Sequence, residues 1–328
     1  AVKSGMMKID CGVPQGSVLG PLLFILYTGE LERIITTCGL NSYCYADDCQ
    51  IFFFCKPEEA PQLSSCIQKV SEWMSSNRLK LNPTKTEFLW AATNRRQHLI
   101  DGCSINLSGV DIAPAICVKL LGFYIDSDIS TSSQINRTIR TCFFQLRQIR
   151  AIRRNLPTDI AKSLVNAFVV SRLDYCNGLY ANLPATQLNR LQSVLHAAAR
   201  LLFKTSRYCS VTPLLRDLHW LWIPERVQFK LCIMVFKALH GAAPSYITEL
   251  CRPVSVTERR ATLRSSNHGD LLVPARSSNQ NTNFGDRAFY VAGPSAWNNL
   301  PVTVRSSSSL EMFKKLLKTY LFSKSFPQ

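Results

Sequence analysis

Asp47 and Asp48 are adjacent carboxylates with short apolar, β-prone runs on either side, Ser42–Tyr45 before them and Cys49–Phe54 after. That pattern predicts a hairpin with its charge at the tip. Like charges a few ångströms apart raise each other's pKa, so a pair held there resists joint ionisation unless a cation neutralises it. Hard carboxylate oxygens favour Mg²⁺, with Mn²⁺ as the other candidate. The competing reading of the dipeptide alone is an exposed turn in which Asp is simply a good turn former.

Upstream lies Gly12-Val13-Pro14-Gln15-Gly16-Ser17-Val18-Leu19-Gly20-Pro21, with three glycines and two prolines in ten residues. Such a segment fixes a turn-rich backbone ahead of a helix, with N–H groups free to meet a phosphate and Gln15 available for hydrogen bonds.

The elements that must position these groups follow from periodicity. Leu22–Leu31 is a uniformly apolar stretch and predicts a short buried helix. Leu63, Cys66, Ile67, Val70, Trp73, Met74 and Asn77 recur at three- and four-residue steps, so 60–79 should be an amphipathic helix. Short alternating runs between 103 and 126 predict a small sheet. From Thr131 the texture turns helical, with apolar repeats over Gln134–Asn155, Asp159–Leu173, Thr186–Phe203 and Val227–His240. In the last of these, Phe229, Ile233 and Phe236 read as core, and His219 beside Trp220 as a core or boundary histidine. A Ser- and Arg-rich stretch, 251–283, reads as a loop or linker, and 284–328 closes with a Lys-rich helix.

Charge divides the chain in the same place. Residues 1–130 hold 11 basic and 13 acidic residues, whereas 131–328 hold 27 and 9. A surplus of that size predicts a polyanionic partner, nucleic acid first and an anionic membrane second. Six arginines lie between Arg137 and Arg154 without one acidic residue. Arg137, Arg140, Arg147 and Arg154 fall within roughly a third of a helical wheel, with Arg150 close by. A face of that kind suits a phosphate backbone.

Thirteen cysteines occur without one C-x-x-C pair, which argues against zinc sites of common spacing and suits a reducing compartment, nucleus or cytoplasm. The longest apolar run, Val18–Tyr27, is interrupted by Gly20 and Pro21 and is too short to span a bilayer. The first residues, Ala1-Val2-Lys3-Ser4, carry no signal-peptide profile and read as an edge cut inside a longer chain.

Gly12–Pro21 followed by Tyr45-Ala46-Asp47-Asp48 resembles the consecutive B and C motifs of reverse transcriptases from LINE-type, non-LTR retrotransposons. Trp73, Asn77 and Leu79–Glu87 are similar to the family's D motif, and Leu120-Leu121-Gly122 to its primer grip. Ser171–Asn177, Ala197–Leu201, Leu218–Leu221 and Gly293–Pro301 resemble the C-terminal extension of the jockey and chicken-repeat branch. The resemblance implies an α+β fold, a partial polymerase palm of antiparallel sheet with helices over 1–130. A basic helical thumb over 131–250 and a C-terminal extension over 284–328 would follow.

It also implies RNA-directed DNA synthesis by two-metal nucleotidyl transfer, with RNA template, DNA primer and dNTP as partners. Asp47 and Asp48 would hold the metal, and Lys85 would neutralise or protonate the departing pyrophosphate. Gly12, Pro14, Gln15, Gly16 and Ser17 would line the nucleotide and template pocket, while Tyr45 and Ala46 shape the hairpin under the primer end. Arg137, Arg140, Arg147, Arg150 and Arg154 would meet the nucleic-acid backbone. The family's third aspartate belongs to an A motif well upstream of Gly12, and Asp10 is too close to serve. The expectation is therefore a polymerase fragment that is inactive alone. The alternatives are a non-catalytic nucleic-acid-binding remnant and a relic without a selected role.

Overall fold

The computed structural model describes residues 13, 16–93, 96–99, 104–107, 109–256, 269–274 and 285–327. The chain divides into two compact units, Ala1–Ser133 and Gln134–Gln328.

Unit 1 opens with α1 (Gly20–Tyr27) and α2 (Gly29–Thr37). The Leu22–Leu31 stretch is thus two helices, and the expected burial of the first is corrected: none of the residues of α1 is buried. Val18 is 90% and Leu26 77% exposed. A helix that is apolar all round has no polar face to offer water. The described residues of unit 1 do not enclose it. In contrast α2 alternates properly, burying Leu31 and Ile35.

The hairpin forms where expected, β1 (Asn41–Tyr45) against β2 (Asp48–Phe52). It stands as a two-stranded sheet, joined by no third strand among the described residues. The amphipathic helix α3 (Ala60–Ser76) follows. Its Cys66 and Val70 meet Leu31, Ile35 and Leu40 in one core, with Leu63, Trp73, Met74 and the hairpin residues Ile51 and Phe53 at the margin. Two polar ties fix α2 to α3: Trp73 Nε1 donates to Glu30 Oε2 at 3.1 Å and Gln62 Nε2 to the Cys38 carbonyl at 2.8 Å.

The small sheet expected between 103 and 126 is two separate hairpins, β3 (Ile105–Leu107) with β4 (Val110–Ile112) and β5 (Cys117–Leu120) with β6 (Phe123–Asp126). The second closes through Leu121 and Gly122, both at positive φ, 46° and 86°. That is the turn chemistry a two-residue hairpin loop demands.

Unit 2 is helical. The predicted segments appear as α4 (Ser132–Ile152, which begins at the edge of unit 1), α5 (Thr158–Val165) continuing through a π turn into α6 (Ser171–Asp174), α7 (Ala185–Phe203) and, after the short α8 (Thr212–Asp217), α9 (Ile223–Leu239). A short α10 (Ser245–Thr248) precedes the last three helices. These are α11 (Phe289–Asn298), α12 (Val302–Arg305) and α13 (Leu310–Ser325). Cys232, Val235 and Phe236 of α9 bury against Trp297 of α11, Val304 of α12, and Phe313, Leu317 and Leu321 of α13, so 284–328 shares a core with α9. Phe236 is buried, with Phe229 and Ile233 packed at the edge of that core, as their spacing predicts. His219 departs from expectation: it is exposed, at φ 54°, in the turn after α8, its ring tilted against Phe322 at 5.4 Å. Most of the 251–283 stretch lies outside the described residues.

Candidate active-site turn

The register of β1 and β2 places Tyr45 opposite Asp48, leaving Ala46 and Asp47 as a two-residue loop. Side chains alternate along each strand. Asp48, Gln50 and Phe52 therefore share a face with Tyr43 and Tyr45, and on it Tyr43 stacks on Phe52 with centroids 5.2 Å apart. Cys49 and Ile51 share the opposite face with Ser42 and Cys44. Through Ile51 that face reaches the α2–α3 core. Packing thus anchors the base of the hairpin and leaves the tip, with both carboxylates, in solvent.

Ala46 takes a left-handed φ of 53°. For a residue with a Cβ this costs about 1 kcal/mol or more. The hairpin tolerates it because the primed geometry required by right-twisted strands needs positive φ in the loop.

Among the described residues no group of three or more His, Cys, Asp or Glu is placed to hold a metal ion. Asp47 and Asp48 fit Mg²⁺ in donor chemistry, as hard oxygens side by side, but they supply only part of a coordination shell.

Gly16 and Ser17 lie just before α1. Gly16 is at φ 86°, where a side chain would be strained, and the Ser17 hydroxyl accepts the amide of Gly20 at 3.1 Å, fastening the start of the helix. Gly12, Pro14 and Gln15 lie outside the described residues. Lys85 is exposed in a turn nucleated by Asn82, whose side chain accepts the amide and hydroxyl of Thr84 at 3.1 and 2.7 Å. The hairpin brings Tyr45, Ala46, Asp47 and Asp48 together; Lys85 sits beyond α3 in its own turn.

In unit 2, Arg137, Arg140, Arg147 and Arg150 of α4, and Arg154 just beyond it, are exposed. The opposite face of α4 buries Ile135, Thr138, Cys142, Leu146 and Ile149. Arg153 belongs to neither face. It is 5% exposed and donates to the carbonyls of Leu201, Leu202 and Leu156 and to the Thr158 hydroxyl.

Sequence reasoning left the role of Trp297–Pro301 unread, and the structure supplies it. Asn298 pins the 269–274 segment, accepting from the Leu271 amide and donating to its carbonyl, both at 2.8 Å. Trp297 Nε1 donates to the Gly269 carbonyl at 3.3 Å. Asp174 in the Ser171–Asn177 segment receives two hydrogen bonds from Arg226, at 2.8 and 2.6 Å. These motifs bind the chain to itself, and the signal present in the sequence was a Trp followed by paired Asn, Trp297-Asn298-Asn299.

Residues 3–125 match the reverse transcriptase (RNA-dependent DNA polymerase) family. The chain is also similar to RNA-directed DNA polymerases of mobile elements. It is 28% identical over 232 residues to the probable RNA-directed DNA polymerase from transposon BS of Drosophila melanogaster, an alignment covering 66% of this chain and 25% of that protein. It is 23% identical over 269 residues to the RNA-directed DNA polymerase from mobile element jockey of Drosophila funebris, covering 79% of this chain and 28% of the relative. The chain therefore spans about a quarter of the length of these curated relatives. No solved structure matches it significantly. The Asp47–Asp48 turn and both preceding helices lie inside the matched reverse transcriptase segment. No helix among the described residues is long and apolar enough to cross a membrane.

Proposed function

We propose that this chain is part of an RNA-directed DNA polymerase, with unit 1 as a partial palm and the first helices of unit 2 as its thumb. The observation that carries the reading is the solvent-facing Asp47–Asp48 turn on a hairpin whose base is locked by Ile51 and Phe53. Asp47 and Asp48 would hold Mg²⁺, which when bound lowers the cost of charge on the attacking and leaving oxygens of nucleotidyl transfer. Tyr45, on the face of Asp48, would support the primer end. Ala46 would keep the loop tight enough to present both carboxylates. Lys85 would meet the departing pyrophosphate, and Gly12, Pro14, Gln15, Gly16 and Ser17 would border the template and nucleotide. RNA template, DNA primer and dNTP are the proposed partners, in the nucleus or cytoplasm.

The polypeptide of residues 1–328 is proposed to be inactive by itself, because two carboxylates cannot complete a two-metal site. Primer extension on an RNA template tests this. Residues 1–328 should add no nucleotide, whereas a polypeptide supplying a further carboxylate strand upstream should add nucleotides and lose that activity with Asp47→Asn. Incorporation by 1–328 alone, or activity in the longer Asp47→Asn protein, would overturn the reading.

A second reading, a binding module without chemistry, is favoured by the exposed arginine face of α4. RNA affinity that falls steeply with salt, without incorporation in any longer form, would support it.

A further inference from the structure

Cys44 and Cys49 are directly opposed in the register of β1 and β2, their sulfurs 3.2 Å apart, and both residues are exposed and unoxidised. In a hairpin with a two-residue loop the closing pair, here Tyr45 and Asp48, exchanges backbone hydrogen bonds. The next pair is then a non-hydrogen-bonded one, where Cα atoms come within about 4.5 Å and side chains are closest. That separation lies inside the range a disulfide spans. The structure assigns to Cys44 and Cys49 a reversible thiol–disulfide site, closed by a low-molecular-weight disulfide such as glutathione disulfide.

The step balances as two exchanges. The Cys44 thiolate attacks one sulfur of the small disulfide, whose S–S bond breaks and releases one thiolate. Cys49 then gives its proton to the medium and attacks the Cys44 sulfur, releasing the second small thiolate. Two S–H bonds become one S–S bond, and the two electrons leave on two molecules of small thiol. Both residues are exposed, so the same product forms if Cys49 attacks first.

Competition comes from nearby. Cys66 on α3 is buried at the core side of the hairpin, and its thiol meets that of Cys38 at the end of α2. Cys66 is fully buried and Cys38 partly so, whereas Cys44 and Cys49, nearer the tip, are both exposed. The bond would tie β1 to β2 at the residues flanking the Tyr45–Asp48 pair. Its formation does not depend on what the carboxylates do.

The test uses the reduced 328-residue chain, incubated natively with excess glutathione disulfide, quenched in acid, alkylated and cut with chymotrypsin. Cleavage after Tyr45 leaves Cys44 and Cys49 on separate peptides, joined only if their sulfurs are bonded. The expected result is that joined pair, appearing at least about tenfold faster than any other linkage, and its loss in both Cys44→Ser and Cys49→Ser. Oxidation in denaturant should scramble the pairing. Four results would overturn the site: a preferred Cys38–Cys66 or Cys49–Cys66 link, a stable glutathione adduct on Cys44, both thiols alkylated throughout, or a native pattern equal to the denatured one.

Discussion

Arg153 Nη2 donates to the carbonyl of Leu202 at 2.7 Å, and its Nε to that of Leu201 at 3.3 Å, so one guanidinium closes the C-terminal end of α7. Helix C-termini leave carbonyls without partners and carry partial negative charge, which a buried cation answers on both counts. Arg153→Ala should therefore cost about 2–4 kcal/mol, read as a lowered midpoint in chemical denaturation. Its neighbour Arg154 is exposed, and Arg154→Ala should change stability by less than about 0.5 kcal/mol. If the α4 face meets phosphates, the second variant should instead reduce the salt slope of RNA binding by about 1. Equal stability losses in the two variants would contradict this division.

Ala46 holds a left-handed backbone at the tip of the hairpin. Ala46→Gly should raise stability by about 0.5–1 kcal/mol, glycine losing nothing at that φ. The check is the denaturation midpoint of unit 1, and a decrease would mean that the alanine methyl packs more than its exposure indicates.

Asp126, at the end of β6, is buried and accepts from the Ser133 amide at 3.0 Å and the Ser130 hydroxyl at 3.3 Å. Burial draws its pKa upward, but the hydrogen bonds from Ser133, Cys117 and Ser130 outweigh that and hold it below the ordinary carboxylate value. A depressed folded pKa gives stability that is present above the unfolded value, about 3.9, and is lost as pH falls through the folded one. Asp126→Asn should thus remove part of the acid sensitivity below about pH 4 while lowering stability at neutral pH. An unchanged stability-versus-pH curve would count against the linkage.

Gly293 has no room for a side chain: a Cβ there would meet Phe289 Cε2 at 2.9 Å and Val235 Cγ2 at 3.2 Å. Gly293→Ala should cost about 1–3 kcal/mol by overpacking α11 against α9. Asn298→Ala should cost a similar amount by releasing both backbone groups of Leu271. Thermal unfolding of each variant measures it, and additivity of the two would show that the helix contact and the strand clamp act independently.

Periodicity found the helices of unit 2 and the α3 stripe because those faces are partnered within the chain. It failed at α1, where an apolar run says that something covers it but not whether the same polypeptide provides the cover. The hairpin was legible from two β-prone runs around Asp47 and Asp48, yet the facing of Cys44 and Cys49 needed the register. Arg153 shows the opposite limit. Its residue type and spacing belong to the basic run, and only the fold reveals that its charge points inward at the end of α7. The clamp made by Asn298 was hidden because an amide can imitate a strand's backbone pairing without any strand-like sequence around it.

The core shared by α9 and α13 has a bearing on synthesis. Roughly 70 residues separate the end of α9 from the start of α13, so at about 5–20 residues per second α9 waits several seconds on the ribosome with an uncovered apolar face. A stop codon anywhere before Leu310 would make that wait permanent, because Phe313, Leu317 and Leu321 would never arrive. Even a late truncation would therefore remove the support beneath α9, well upstream of the lesion.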